Sequence, residues 1–268
     1  MGKSNQSTQE INSQAQNPLG TAPVGGLIAK FAIPAIISML VSAMYNIVDQ
    51  IFIGQGVGML GNAATNVAFP VTTIATALAL LLGIGGASNY NLEMGAGQEK
   101  KASGIAGTAL SSLVISGLIL AVIALVFLKP LLTLFGATTD VMPYAVAYTG
   151  ITALGLPFYI LSVGGNHVVR ADRSPTYSMT CIMIGAIINT ILDPVFIFVF
   201  GWGIKGAAWA TVIGQVVSGV LVIVYFWKFR NMYLTGAMLK PKMPYLKAII
   251  SLGLASCINQ IAMAIVQI

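Results

Sequence analysis

Charge is what this chain has least of. Only 7% of its 268 residues are Asp, Glu, Lys or Arg, against roughly 25% in soluble domains. A surface wetted on all sides cannot be built from so few, so lipid must be the solvent for most of the chain. Histidine occurs once and cysteine twice. Cys181 and Cys257 lie in apolar runs without metal-ligand spacing and read as small core residues. The first ~20 residues lack the apolar stretch of a signal peptide. They are rich in Gln, Ser and Asn and read as a disordered tail, although "MGKSNQS" has the outline of an acylation motif.

What is present is hydrophobicity. Apolar residues make up 57% of the chain, and the mean hydropathy is +0.88. Seven runs reach the ~20 residues that a membrane-spanning helix needs. They fall near 31–53, 63–89, 102–128, 142–166, 176–200, 206–228 and 247–268. The expected fold is an all-α polytopic membrane protein, a six-helix transmembrane bundle followed by a seventh helix. The net charge of +6 would suggest nucleic acid in a soluble protein. Here topology accounts for it. With the N-terminus in the cytoplasm, eleven basic residues fall inside (Lys3, Lys30, Lys100, Lys101, Arg170, Arg173, Lys228, Arg230, Lys240, Lys242, Lys247) and two outside (Lys129, Lys205). That asymmetry is the positive-inside pattern. A nucleic-acid partner is not expected; the partner is the bilayer.

The order expected along the chain is a cytoplasmic tail (1–25), a six-helix lobe (26–230), a cytoplasmic linker (231–246) and a further helix (247–268). The last run aligns loosely with the first, placing Ile258 under Ile37, Ala264 under Ala43 and Ile268 under Ile47. Internal repeats of this kind build many secondary transporters. The alignment suggests that a second lobe starts here and is cut short, so a missing second lobe is an expected partner.

Of seven acidic residues, only Asp49 and Asp193 lie well inside a run. A carboxylate at mid-membrane costs roughly 2.5–3.5 kcal/mol on insertion scales, which makes it a functional hypothesis by default. The first and fifth runs point the same way, and both aspartates fall roughly 10–12 Å below the outer break. Asn189 is one turn before Asp193 on the same face. Tyr45 and Asn46 precede Asp49 by a turn, and Thr211 enters the sixth run at a similar depth. Two carboxylates, an amide and a hydroxyl form a hard, oxygen-rich set suited to Na⁺ or a proton. Pro194, directly after Asp193, withdraws a donor from the Thr190 carbonyl and is expected to kink the helix. Asp172 and the acidic residues near other breaks read as loop groups. "LLGIGGASN" (81–89) reads as close helix packing, not a phosphate loop. His167 reads as an interfacial polar group, with a proton relay as the alternative.

Four segments together resemble the multidrug and toxic compound extrusion (MATE) family. They are "IPAIISMLVSAMYNIVDQIFIGQ" (33–55), "GAGQEKKA" (95–102), "RADRSPTYSM" (170–179) and "IGAIINTILDPVFIFVFGWGIKGAAWATVIGQ" (184–215). The resemblance covers roughly residues 25 to 268. It implies a non-enzymatic, cation-coupled antiporter of the plasma membrane that exports organic cations or drugs by alternating access. It implies twelve helices in two lobes, of which this chain holds the N-terminal lobe and the start of the second. It also implies that Asp49, Asn189, Asp193 and Thr211 form a cation site, for Na⁺ as a bound metal or for H⁺, with Tyr45 and Asn46 as substrate-cavity candidates. The family's glycine in the "RADGSP" turn is Arg173 here. Three other readings compete: a lipid-linked oligosaccharide flippase of the same superfamily, a truncated product that inserts without transporting, and an intramembrane protease. The contexts "NIVDQ" and "TILDP" do not fit the protease's aspartate pair.

Overall fold

The computed structural model describes residues 24–227 and 239–267. It is almost entirely helical. The helices are α1 (Val24–Gly56), α2 (Met59–Gly95), α3 (Glu99–Val126), the short α4 (Leu128–Leu134), α5 (Met142–Ala171), α6 (Pro175–Pro194), α7 (Ile204–Trp227) and α8 (Met243–Gln267). A five-residue π-helix, Val195–Val199, continues α6. Seven of these segments are long and apolar enough to cross a membrane. The expected seven spans are all there, each within a few residues of its expected bounds. The exception in kind is α4, which lies almost wholly in the break after the run at 102–128 and is not expected from the sequence. The tail to residue 23, and 231–238 of the expected linker, lie outside the described residues. Met243–Leu246, also assigned to that linker, belong to α8.

The bundle is held by small residues. α5 packs against α2, α3 and α7 and forms its axis. At the α2–α5 crossing, a Cβ on Gly83 would come 2.5 Å from the Gly164 Cα. That approach is open only to glycine at both positions. In lipid, where burying apolar surface yields little, such close contact is what holds helices together. Gly83, Gly85 and Gly86 of the "LLGIGGASN" stretch are all buried in α2, in keeping with the packing reading. α8 lies across α2, where Asn89 donates to the Ala248 carbonyl at 3.0 Å.

Two helices are sparsely covered. α1 exposes Ile33, Ile36, Met39, Leu40, Met44 and Ile47 on one side. It touches the rest mainly through α6, and α8 is similarly bare beyond its contact with α2.

One end of the bundle carries a polar knot. Asp172, just past α5, is 1% exposed. Its carboxylate accepts from Tyr90 of α2 at 2.8 Å and from Tyr225 of α7 at 2.7 Å. Tyr225 also lies 2.6 Å from Ser174. Asp172 stands in the loop expected of it, yet that loop is not exposed. The turn after α5 folds inward, and Asp172 ties three helices together. Next to it, Arg173 has φ +62°, and no other described residue besides glycines has positive φ. The position takes the left-handed backbone that glycine adopts without strain.

Candidate functional site

The site begins with two parallel helices, α1 and α6. Their contact brings Asp49 and Asp193 face to face, 7% and 0% exposed respectively. Two negative charges at ~4 Å repel by about 4 kcal/mol at the effective dielectric of a protein interior. A positive charge between them, a proton or a cation, would relieve that repulsion. Oδ1 of each carboxylate is sealed from solvent and accepts no hydrogen bond. Those two oxygens are free acceptors for such a charge.

Asn189 links the pair to α7. In one amide orientation its Nδ2 faces Asp193 Oδ2 at 3.2 Å, and its Oδ1 accepts the Thr211 N–H at 3.2 Å. The other orientation leaves a single bond to Thr211 Oγ1, at 3.4 Å. The first is favoured because it sets no donor against a donor. The approach of α6 to α7 rests on glycines. A Cβ on Gly185 would fall 2.9 Å from the Gly214 carbonyl oxygen, and one on Gly214 would fall 2.8 Å from that of Gly185. Gly214 also lies beside the Asn189 Cβ. The small pair thus sets the gap that Asn189 spans.

Helical structure continues past Pro194. The backbone widens beyond it into the π-helix, closed by a 2.9 Å bond from the Phe200 N–H to the Val195 carbonyl. Widening lets the helix continue past a missing donor. The widened turn packs Ile197 and Phe198 against Gly56 at the end of α1, with Phe52 edge-on to Phe198 at 6.3 Å. It therefore braces the two aspartate helices just above the pair.

The structure brings Asp49, Asn189, Asp193 and Thr211 together, as the depth argument expects. Tyr45 is beside them, neighbouring both aspartates and Tyr159. Asn46 is not. It is exposed and donates to the Ser42 carbonyl of its own helix at 2.7 Å. One residue of rotation from Tyr45 is about 100°, enough to carry Asn46 off the inner face. Tyr148 of α5 was not foreseen. It is buried next to Thr211 and near both aspartates. Its sequence surroundings are ordinary apolar helix, and only the packing of α5 on α7 brings it in.

Below the pair lies a cavity of about 210 Å³ between α1, α5, α6 and α7. Its upper wall includes Tyr45, Asn189, Thr211 and Gln215, and its lower wall includes Ser162, Asn166, His167, Arg170 and Ser218. His167, expected at the inner end of its span, lines this space one turn before Arg170. Drug-sized ligands occupy roughly 300–1,000 Å³. The cavity falls short of that, but it has room for several waters at roughly 30 Å³ each. No group of three or more His, Cys, Asp or Glu among the described residues could hold a metal. The oxygen set of two carboxylates, an amide and a hydroxyl instead suits a weakly held alkali ion or a proton.

A seven-span helical bundle with a carboxylate pair sealed in its interior has the form of a membrane transporter lobe. The chain belongs to the MatE family, whose model matches residues 34–195. It is 28% identical over 243 residues to the multidrug export protein MepA of Staphylococcus aureus (strain MRSA252), an alignment covering 90% of this chain and 54% of that protein. It is 31% identical over 196 residues to the MepA of Staphylococcus haemolyticus (strain JCSC1435), covering 73% and 43%. Among solved structures it superposes on a multidrug resistance MATE family transporter in an outward-facing conformation, with TM-score 0.81 and 29% identity, over 89% of this chain and 53% of that one. A MATE transporter in a bent conformation matches with TM-score 0.81 and 30% identity over the same shares. The chain spans about half the length of the relatives it matches.

Proposed function

We propose that this chain is the N-terminal lobe of a cation-coupled exporter of organic cations or drugs. In this reading it sits in the plasma membrane with its N-terminus in the cytoplasm. The observation that carries it is the buried Asp49–Asp193 pair with an unpartnered oxygen on each carboxylate. The names of the relatives, multidrug export proteins, supply the class of cargo.

Na⁺ or H⁺ is the coupling species and acts as a second cargo. Asp49 and Asp193 supply charge, while Asn189 and Thr211 supply neutral oxygen and fix the gap between α6 and α7. Filling the site cancels the repulsion and allows α1 and α6 to close on each other. An empty site leaves the repulsion to push α1 outward. Since α1 rests on little besides α6, it is the helix free to respond. A coupling of 1–3 kcal/mol between ion and drug is enough for useful exchange. The drug binds outside the small cavity, against a surface completed by a second lobe.

A flippase for lipid-linked oligosaccharides fits less well. A cavity of about 210 Å³ with Arg170 as the one arginine in its wall gives neither the charge nor the room for a sugar-phosphate headgroup.

The test is thermal unfolding of the purified chain, across Na⁺ concentration and pH, compared with Asp193→Asn. Stabilisation by Na⁺ that vanishes in the variant supports the site and names sodium. A shift with pH alone, also lost in the variant, names the proton. Identical behaviour of two folded proteins overturns the cation site.

A further inference from the structure

The lower end of the cavity holds a positive charge with no negative partner. Arg170, in the last turn of α5, lines it there. Its Nε donates to Ser178 Oγ on α6 at 3.0 Å, a bond that holds the guanidinium across the gap between the two helices. Among the described residues its two terminal nitrogens make no hydrogen bond, and no carboxylate lies within 4 Å of it. The nearest acid along the chain, Asp172, is engaged by Tyr90 and Tyr225. Neither Asp49 nor Asp193 is in the cavity wall. Ionisable groups inside a membrane protein are normally paired, so an unpaired one calls for a partner from outside the chain. The parallel N–H groups of a guanidinium match a carboxylate.

The same cavity presents acceptors that lack a donor. Asn166, one turn before Arg170 on the same helix face, is 2% exposed, yet its Oδ1 accepts no hydrogen bond. Its Nδ2 donates to the Ser162 carbonyl at 2.8 Å, so turning the amide around would set oxygen against oxygen. Gln215 Oε1, on α7, is likewise unpartnered. Ser162 and Ser218 lie 2.6 Å apart; one hydroxyl donates to the other, whose own proton is left over. A simple cation is repelled by Arg170. A simple anion leaves Asn166 and Gln215 with their oxygens against a negative charge. A molecule with both a carboxylate and an N–H group answers all of them. We infer that this cavity is a binding site for a small zwitterion, its carboxylate on Arg170 and its ammonium on Asn166 Oδ1 and Gln215 Oε1. At roughly 30 Å³ for each water-sized group, about 210 Å³ takes roughly seven non-hydrogen atoms, the size of a small amino acid. The step from Asn166 to Arg170 is roughly 6 Å along the helix. An acid and an amine a few carbons apart span it with a hydrogen bond of ~2.9 Å at each end. The site goes beyond the cation-coupled reading and does not depend on it, since the carboxylate pair takes no part.

Isothermal titration of the purified full chain tests this with glycine, β-alanine and γ-aminobutyrate as probes. Acetate and methylammonium, which each carry one of the two charges, serve as comparisons. At least one zwitterion is expected to bind saturably and about ten-fold more tightly than acetate, while methylammonium does not bind. Arg170→Gln is expected to weaken that zwitterion about ten-fold or more. Asn166→Ala is expected to weaken the zwitterion but not acetate, a split that a purely structural role of Asn166 would not produce. A folded wild-type chain that binds none of the three zwitterions overturns the site, and so does acetate binding as tightly as they do. A folded Arg170→Gln variant with wild-type affinity overturns the assignment of the carboxylate to Arg170. The comparison of probes on the wild-type chain stands whether or not a variant folds. Asp193→Asn is expected to leave zwitterion binding unchanged even where it abolishes the Na⁺ or pH effect on unfolding, so the two readings fail separately. Loss of zwitterion binding in folded Asp193→Asn would place the ligand on the carboxylate pair and overturn a separate site.

Discussion

Asn189 is the residue on which the site's geometry turns. In its favoured orientation it bonds both Asp193 and the Thr211 N–H of the α7 backbone. Asn189→Ala removes a hydrogen bond to a charged group, worth about 1.5–3 kcal/mol. The apparent affinity for the stabilising ion is expected to fall at least ten-fold, read as a rightward shift in the ion titration of the unfolding temperature. Thr211→Ala removes only a hydroxyl and is expected to weaken it less. Arg173 offers a prediction of the opposite sign. A non-glycine residue in the left-handed region costs roughly 1 kcal/mol, partly offset because glycine frees the unfolded chain. Arg173→Gly is expected to leave the protein as stable or up to about 1 kcal/mol more stable, measured by thermal unfolding. A marked loss would mean that the Arg173 side chain makes contacts that outweigh its backbone.

Among the elements, the α6–α7 contact matters most to function and the Asp172 knot most to stability. Enlarging Gly185 to Leu would push a side chain into the Gly214 backbone. Overpacking of this kind costs typically 1–3 kcal/mol. It would also separate Asn189 from Thr211, so ion-dependent stabilisation is expected to disappear along with some stability. Tyr225→Phe is expected to show the reverse pattern. It removes a donor from the buried Asp172 carboxylate and should cost about 1.5–3 kcal/mol. The ion effect should survive, since Asp172 lies at the other end of the bundle. Comparing ion-dependent and ion-independent unfolding in the two variants checks both expectations.

The whole molecule is a bundle with two bare helices, α1 and α8, and an asymmetric distribution of charge. Alternating spans put Lys129 and Lys205 at one end and the Lys100–Lys101 turn at the other. With the N-terminus in the cytoplasm, a cysteine at position 205 is expected to react with a membrane-impermeant maleimide added to intact cells. One at position 100 should react only after permeabilisation. The reverse result would invert the topology and place the carboxylate pair nearer the inner face.

Much of this was legible in the sequence because a bilayer is a simple solvent. Backbone groups in hydrocarbon must bond within their own helix, so each apolar run of sufficient length becomes a helix and its direction follows by alternation. The depth of a residue then follows from its distance to the nearest break. Hence Asp49, Asn189, Asp193 and Thr211 could be set at one level before any packing was known. Depth is one coordinate of three, however, and the other two come from rotation and neighbours. Asn46 shares the depth of Tyr45 yet turns away, and Tyr148 joins the site through the packing of α5 on α7. Asp172 and His167 stand near a break in the chain, as the sequence places them, but only the packing shows that the turn after α5 buries the first and that the second lines the cavity. Pro194 announced a missing donor, while the widened turn that follows it packs against Gly56 and Phe52. Composition and hydrophobic runs thus determined the class, the spans and the layer of the site by themselves. Which side chains meet, and the cavity they enclose, were decided only where helices approach, because close packing at Gly83, Gly185 and Gly214 depends on pairs of residues far apart in the chain.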